Sequence, residues 1–183
     1  MGTLFVDNIK HQSSQGSGTI TLGASGETVS LGTTAGGEIS AAPAFYAYPS
    51  TDQTISNNTW TKITLNTELY DTDNAFDSTT NSRFTVPTGK AGKYFFSSNL
   101  IIDNMNDVKV VDARIYINGS GINRTYAREN LSGDSQAGMV SVNYVTSLNA
   151  GDYVEFYGRH TRGADRDALA AYIFFAGFRL IGV

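Results

Sequence analysis

From residue 43 to the end of the chain, hydrophobic and polar residues alternate in short runs, and turn-forming residues separate the runs. The runs are rich in β-branched and aromatic residues, and none keeps a 3.6-residue repeat over the length of a helix. This pattern predicts an all-β region. The predicted strands are residues 45–48, 59–65, 83–86, 93–102, 110–117, 122–127, 139–148, 153–160 and 170–180.

Glycine, asparagine, aspartate and serine lie between the predicted strands. Gly and Asn tolerate positive φ, and Asp and Ser side chains bond the local backbone, so these residues favour tight turns. The predicted turns are residues 71–74, 87–90, 118–121, 132–135 and 150–152. Many short strands at this spacing predict an antiparallel β-sandwich or a closed barrel, because both architectures bury one face of every strand.

The predicted strand at residues 93–102 carries apolar side chains on both of its faces. Alternation places Tyr94, Phe96, Leu100 and Ile102 on one face, with Ser98 between them. The other face carries Phe95 and Ile101. A strand that is apolar on both faces is covered on both. We therefore predict a central strand whose second face meets a loop or a neighbouring subunit.

The N-terminal segment contains a sequence repeat, TITLGAS at residues 19–25 and TVSLGTT at residues 28–34. Alternation places Ile20 and Leu22 on one face of the first copy, and Val29 and Leu31 on one face of the second. Two such strands bury too little apolar surface to offset the entropy of ordering their backbone. The repeat therefore indicates either a flexible linker or a β shaft in which three chains wrap around one axis, and we favour the shaft.

Composition changes along the 183 residues, since Phe5 is the only aromatic residue before position 38. The change coincides with residues 36–43, which contain two glycines and a proline and resemble a hinge. Overall, 16% of the residues are charged and 11% are aromatic, which is typical of a chain that folds. We predict two domains, a shaft or attachment segment at residues 1–37 and a head domain at residues 38–183.

Charge and cysteine content exclude several classes of function. The net charge is −4 and no basic stripe is visible, so nucleic acid is not the expected partner. The chain has no cysteine, which excludes disulfides and thiolate metal sites. The first ten residues lack the basic and apolar regions of a signal peptide, and no apolar run is long enough to span a bilayer. We therefore expect neither autonomous export nor membrane insertion.

Residue types that could support catalysis or metal binding are few. No nucleophile-elbow, zinc-protease or phosphate-loop motif occurs, and we expect His11 and His160 to be surface residues, so no enzyme is predicted. Asp71 and Asp73 are close enough in sequence to share a cation. Asp103 and Asp107 flank a predicted loop, where their oxygens would suit Ca²⁺. Asp is also an ordinary turn former, so calcium remains an alternative to plain turns.

Residues 159–167 concentrate charges of both signs in one predicted loop. One interpretation is a solvated connection with local ion pairs that contribute little to stability. The other is a recognition loop whose guanidinium groups and carboxylates bind hydroxyl-rich or charged glycans. The candidate receptor-binding residues are Arg159, His160, Arg162, Asp165, Arg166 and Asp167.

Five short motifs occur in an order and spacing that resemble the globular heads of the complement and tumour necrosis factor (TNF) superfamily. They are FTVP at 84–87, AGKYFF at 91–96, IYING at 115–119, LNAGDYV at 148–154 and FFAGFRLI at 174–181. The resemblance covers about residues 43–182 and implies a ten-stranded antiparallel jelly-roll β-sandwich that assembles as a homotrimer. It also raises the prospect of Ca²⁺, since some members of that superfamily bind calcium near the trimer apex. Arg179 departs from the superfamily pattern, which is commonly apolar at that position.

The N-terminal segment is similar to the glycine-rich stretches of bacteriophage fibre and head-decoration proteins, on LFVDNIK at 4–10 and GTITLG at 18–23. With the absence of a signal peptide, this resemblance implies a virion protein assembled inside the host. We expect a trimeric phage fibre or knob that contacts other virion proteins through residues 1–37. Its outward-facing head would bind a host-surface glycan or protein multivalently. The alternatives are a purely structural decoration protein and an extracellular bacterial binding module.

Overall fold

Two antiparallel β-sheets pack face to face in the computed structural model, which describes residues 42–105, 109–132 and 137–182. The predicted all-β sandwich is confirmed. Strands are numbered in chain order. Sheet A contains β1 (Ala44–Tyr48), β2 (Gln53–Ile55), β4 (Thr67–Asp71), β7 (Gly92–Asp103), β11 (Ala137–Leu148), β13 (Arg166–Ala168) and β14 (Phe174–Gly182). Sheet B contains β3 (Thr61–Lys62), β5 (Phe76–Asp77), β6 (Arg83–Thr85), β8 (Val110–Ile117), β9 (Ser120–Gly121), β10 (Ala127–Asn130) and β12 (Tyr153–His160).

Strand β7 is the centre of sheet A. It pairs along its whole length with β11 on one side, and with β14 and then β13 on the other. Beyond β14 the sheet continues through β1 to β4, and β2 pairs with β13. Sheet B runs in the order β10, β8, β12, β6 and β5, with β3 and β9 attached as short extra strands. The predicted central position of residues 93–102 is therefore confirmed.

Aromatic side chains from both sheets fill the space between them. Phe45 of sheet A stacks on Phe76 and Phe84 of sheet B, with ring centroids 4.9 and 5.0 Å apart. Phe175 meets the same ring edge-on at 5.2 Å. In β7 every second residue is buried, which is the alternation that the sequence shows. The core therefore uses only the inward positions of each strand and leaves the outward positions free for other roles.

Several of the predicted strands are only partly strands. Residues 122–127 form a 3₁₀ turn, Asn123–Thr125, and β10 begins only at Ala127, so this strand prediction was wrong. The hydroxyl of Thr125 is the physical reason, since it is buried, accepts a hydrogen bond from Ile115 N–H at 2.9 Å and donates one to Ile122 O at 2.8 Å. Residues 170–172 also form a 3₁₀ turn, which leads into β14.

Several short strands were not predicted. β2, β4, β5 and β13 have between two and five residues each, which is too few for an alternating pattern to stand out. Of the predicted strand at 59–65, only Thr61–Lys62 pairs. The turn at Asn118 and Gly119 is confirmed, and both residues have positive φ, 51° and 76°, as a tight β-hairpin requires.

The start of β1 and the end of β14 lie at the same end of the sandwich. Arg179 N–H of β14 donates to Pro43 O just before β1, at 2.9 Å. Among the described residues, no helix is long and apolar enough to cross a membrane. The predicted shaft residues Ile20, Leu22, Val29 and Leu31, His11, and most of the predicted boundary at 36–43 lie outside the described residues, so these assignments stay predictions.

Candidate functional site

The outward face of sheet B carries a cluster of arginine, aromatic and acidic side chains. Along β8 the outward residues are Asp112, Arg114 and Tyr116, and along β12 they include Tyr157 and Arg159. Cross-strand pairing places residues of the two strands side by side. We call the outward group formed by Trp60, Asp112, Arg114, Tyr126, Arg128 and Arg159 the B-face cluster.

Asp112 lies at the centre of the cluster, between two arginines that are its direct cross-strand neighbours. Its carboxylate is fully buried, and accepts from Arg128 Nε at 2.7 Å and from Arg159 Nη2 at 2.6 Å. Tyr126 also donates its hydroxyl proton to Asp112 Oδ1, at 2.9 Å. The two arginine side chains stay 38% and 22% exposed, so they reach the surface while their charges share one buried carboxylate.

These contacts determine the protonation of the cluster. Burial would raise the pKa of Asp112, but the hydrogen bonds from Arg128 and Arg159 outweigh burial and lower it below the usual range. Burial, together with the bond to Asp112, raises the pKa of the Tyr126 hydroxyl. Asp112 is therefore an anion and Tyr126 a neutral donor at physiological pH, and two guanidinium ions surround one carboxylate.

Aromatic rings hold the third arginine of the cluster. The guanidinium of Arg114 lies 4.9 Å from the ring centroid of Trp60 and 5.2 Å from that of Tyr126. Arg159 also lies over Trp60, at 5.1 Å. Cation–π contacts of this kind fix a guanidinium plane without using its N–H donors. Trp60 therefore orders two arginines that belong to different strands.

More aromatic and charged groups continue the cluster along sheet B. Tyr116 and Tyr157 stack with centroids 3.9 Å apart, and Lys62 Nζ lies 3.1 Å from Glu155 Oε1. The three arginines of the cluster and Lys62 together provide four cations, against the two carboxylates of Asp112 and Glu155. Sheet B thus presents a cationic, aromatic outward surface, which we call the B-face, on a chain whose net charge is −4.

The outward face of sheet A is apolar by contrast. Eight large hydrophobic side chains of the described residues are strongly exposed, and seven of them lie on sheet A or in the turn that leads into it. We call this surface the A-face, and it comprises Tyr46, Leu69, Tyr70, Phe95, Met139, Val145, Tyr172, Phe174, Phe178 and Leu180. Leu69 is 68% exposed, Met139 55% and Phe178 44%. Many exposed apolar side chains on one sheet indicate an interaction surface.

Aromatic pairs and internal hydrogen bonds order the A-face. Tyr46 stacks on Phe174 at 5.3 Å, and Phe95 meets Phe178 at 5.4 Å. Asn99, a polar residue between them, donates to Tyr172 O and accepts from the Ser141 hydroxyl, both at 2.8 Å. The amide of Asn99 is therefore satisfied within the chain and would need no new partner if the A-face were covered.

The candidate receptor-binding residues at 159–167 do not form one site. Arg159 belongs to the B-face cluster, whereas Arg162 and Arg166 both donate from Nε to Asn104 O, at 3.1 and 3.0 Å. Asp165 accepts from Asn57 N–H, and Asp167 accepts from the Thr54 hydroxyl. Each charged group of this loop is therefore used in local structure, and a receptor-binding role for the loop stays a prediction.

His160 is a core residue, so the expectation that it lies on the surface was wrong. It is fully buried on the inward side of β12, one position beyond Arg159. Arg162 N–H donates to its Nδ1 at 3.2 Å, so the neutral ring carries its proton on Nε2 and donates to Ile55 O at 2.9 Å. Both ring nitrogens are hydrogen-bonded to backbone groups, and a receptor-binding role for His160 stays a prediction.

The candidate calcium residues are not gathered into a site within the part of the chain that the structure describes. No group of three or more histidine or acidic residues converges there, and Asp107 lies outside that part. Asp103 accepts from Asn104 N–H at 2.7 Å. Asp71 accepts from Phe76 N–H at 2.7 Å and Asp73 from the Thr72 hydroxyl, so both of these carboxylates act as turn formers. Calcium binding at Asp103 and Asp107 stays a prediction.

Most of the B-face cluster was missed at the sequence level, although a signal was present. In residues 110–117 the alternate positions read Asp112, Arg114 and Tyr116, and in 153–160 they read Tyr153, Glu155, Tyr157 and Arg159. Two strands with charged and aromatic outward positions predict a polar face when they pair. What the sequence does not contain is the pairing itself, which brings Trp60 and Tyr126 from loops onto the same surface.

The C1q domain profile matches residues 44–180, three quarters of the chain, and this range contains both faces. The chain belongs to the C1q domain family. The motifs quoted above for the complement and TNF superfamily all lie inside that range or reach its edge. No curated protein is significantly similar to the chain in sequence.

Solved structures show the same fold. The globular domain of zebrafish complement 1qA is 20% identical, with a TM-score of 0.57, over 77% of this chain and 99% of that domain. Murine APRIL at pH 5.0 is 11% identical, with a TM-score of 0.55, over 76% of this chain and all of that one. The TNF protein Eiger from S. frugiperda is 14% identical, with a TM-score of 0.55, over 78% and 93%. At these identities the likeness concerns the fold.

Proposed function

We propose that this C1q domain is the head of a homotrimeric, non-enzymatic binding protein. The A-face packs the three subunits together, and the B-face cluster is displayed outward to bind a ligand. The observation that carries the proposal is the contrast between the faces of one sandwich, one apolar and exposed, the other cationic and aromatic. Apolar surface of this extent supports assembly, while arginine and aromatic residues are the usual energetic centres of recognition.

The family relationship supports both halves of the proposal. C1q-type and TNF-type domains assemble as trimers that bind receptors and do not act as enzymes. Trimeric assembly also gives weak individual contacts a useful combined affinity, because three copies of the B-face would engage one surface together. The second apolar face of residues 93–102, which the sequence predicts to meet either a loop or a neighbouring subunit, lies on the outward side of sheet A. The proposed trimer favours the neighbouring subunit.

Solution mass is the direct test of the assembly. Each chain has a mass of 19.7 kDa, so light scattering should give about 59 kDa for the full chain. A value of 19.7 kDa at micromolar concentration would contradict the proposal. The proposed ligand binding is tested by labelling the trimer and measuring its retention on host cells. A variant in which the arginines of the B-face cluster are replaced by neutral residues is measured in the same way for comparison. Equal retention of both proteins would contradict an outward-facing B-face.

The setting that we propose for this head is a phage fibre or knob. Support comes from the N-terminal resemblance of residues 4–10 and 18–23, and from the repeat whose apolar positions, Ile20, Leu22, Val29 and Leu31, suit a three-chain shaft. In this setting residues 1–37 attach the trimer to other virion proteins and the head faces the host surface. Mass spectrometry of purified phage particles should find the chain, and its absence from them would contradict this setting.

A further inference from the structure

We infer that the B-face cluster binds a carboxylate-bearing saccharide, and that the terminal amino groups of Arg114 hold the carboxylate. The inference deepens the proposed function, because it names the class of ligand for the outward face. It depends on the difference between Arg114 and the other two arginines of the cluster. Arg128 and Arg159 direct their N–H groups at Asp112, whereas Arg114 has no ion pair with any described residue.

The donors of Arg114 remain available only at one end of its side chain. Trp60 and Tyr126 contact the guanidinium, and its Nε is buried without a hydrogen-bond partner in the described residues. The two terminal amino groups make no hydrogen bond with a described residue either. An oxyanion can therefore approach end-on and accept from both of them, which is the bidentate geometry that guanidinium and carboxylate share.

Gly121 leaves room for Arg114 in this position. A Cβ at residue 121 would lie 2.9 Å from both Cδ and Nη1 of Arg114, so a larger residue there would displace the end of the arginine side chain. The side chain of Arg114 thus lies directly over the backbone of β9. The rings of Trp60 and Tyr126 order it there before any ligand arrives, so binding would cost little side-chain entropy.

Charge complementarity favours an anion over a neutral ligand. Four cations and two carboxylates on this surface leave a local excess of two positive charges on a chain of net charge −4. Lys62 and Glu155 neutralise each other, so one unit of the excess lies on the group of Arg128, Asp112 and Arg159. The other unit lies on Arg114, which has no carboxylate partner among the described residues. An anion placed there would find an oriented fork and an attractive field together.

Aromatic groups beside Arg114 favour a sugar as the carrier of the carboxylate. Tyr126 is 37% exposed, and Tyr116 and Trp60 are partly exposed next to it. A pyranose ring has a C–H face that packs on such rings, and hydroxyls that the surrounding polar groups can bind. The surface is also open, since Tyr126 and the Arg128 side chain are each more than a third exposed. An open surface suits one unit of an extended chain.

Calorimetric titration of the full chain tests the inference with three probes of matched length: a galacturonic acid hexamer, a neutral glucose hexamer and a glutamate hexapeptide. We expect binding of the galacturonate hexamer alone, weakening as salt is raised. Arg114→Gln should weaken it about tenfold or more, and Arg114→Lys several-fold, because lysine keeps the charge but lacks the fork. Arg162→Gln, which removes the same charge from the loop at 159–167, is the matched control and should bind as wild type.

Four outcomes would overturn the inference: no binding of the galacturonate hexamer, equal binding of the glucose hexamer, equal binding of the glutamate hexapeptide, or a loss with Arg162→Gln in place of Arg114→Gln. Thermal unfolding of each variant shows whether it is folded. If Arg114→Gln is not, Gly121→Ala displaces the same guanidinium with its charge retained and should also weaken binding. A trimer that does not bind the galacturonate hexamer refutes only this inference, whereas a monomer refutes the proposed function itself.

Discussion

The two outer faces of the sandwich come from the same kind of strand but satisfy their side chains differently. On the A-face the polar group of Asn99 is bonded within the chain, and the exposed surface is aromatic and aliphatic. On the B-face a buried carboxylate holds two arginines, and a third keeps donors free. Alternate residues of a strand point to opposite faces, so the outward residues of each sheet can differ while the inward residues build one shared core. The two outer faces of one sandwich can therefore acquire different properties.

The largest expected effect is on the A-face. Phe178→Asp places a charge beside Phe95, 5.4 Å away, on the surface that we propose to be covered in the trimer. Phe178 is 44% exposed in the isolated chain, so the subunit should stay folded while a desolvated charge prevents assembly. Light scattering should report the monomer mass of 19.7 kDa. Arg124→Asp, in the turn beside the B-face, is the control and should leave the trimer intact. A trimeric Phe178→Asp protein would refute the A-face as the interface.

The next effect concerns the stability of sheet B. Asp112→Asn removes the negative charge between Arg128 and Arg159 and leaves their repulsion uncompensated. We expect the free energy of unfolding to fall by about 3 kcal/mol, measured by denaturant titration. The control, Asp167→Asn, has an exposed carboxylate bonded to the Thr54 hydroxyl and should change stability by less than about 0.5 kcal/mol. Equal losses for the two variants would show that Asp112 is not the centre of the cluster.

The contacts of Asp112 also predict how stability depends on pH. The folded state lowers the pKa of Asp112 below its unfolded value of 3.8, so its contribution to stability is fully present above that value. The contribution is lost as pH falls through the lower, folded pKa. The difference in unfolding free energy between wild type and Asp112→Asn should therefore be constant near neutrality and shrink below about pH 4. A difference that stays constant down to pH 2 would contradict this assignment.

The smallest expected effect is the loss of a single tyrosine hydroxyl, compared between the two faces. Tyr126→Phe removes a hydrogen bond to the Asp112 carboxylate and should cost about 1 kcal/mol of unfolding free energy. Tyr46→Phe is the matched change on the A-face, where the ring stacks on Phe174 and its hydroxyl has no partner in the described residues. It should be close to neutral in chemical denaturation of the monomeric Phe178→Asp background. A larger loss of unfolding free energy for Tyr46→Phe than for Tyr126→Phe would contradict this difference between the two hydroxyls.

The fold could be predicted from the sequence further than the site could. Long strands such as β7 and β12 have enough residues for alternation to show, and the ordered motifs point to the C1q and TNF superfamily. Residues 122–127 were predicted to be a strand from their β-branched and aromatic residues. The sequence alone does not show that the Thr125 hydroxyl forms hydrogen bonds with the backbone, which favour a turn instead.

The site depends on information that no local pattern contains. The sequence of residues 159–167 suggests one charged loop, but Arg159 and His160 are neighbours on a strand and therefore point to opposite faces. Arg159 reaches the surface and His160 the core for that reason. Trp60 and Tyr126 join the cluster through long-range pairing, and only the assembled sheet brings them to Arg114.

The bond between Arg179 N–H and Pro43 O has a practical consequence. Because β1 starts where β14 ends, a tag or a surface linkage attached after β14 would hold the head at the end of the sandwich where β1 starts. Immobilised this way, the proposed trimer would stand with its far pole and the outward side of each sheet B facing the solution. One orientation on a sensor chip would thus leave the cationic side open to sugars.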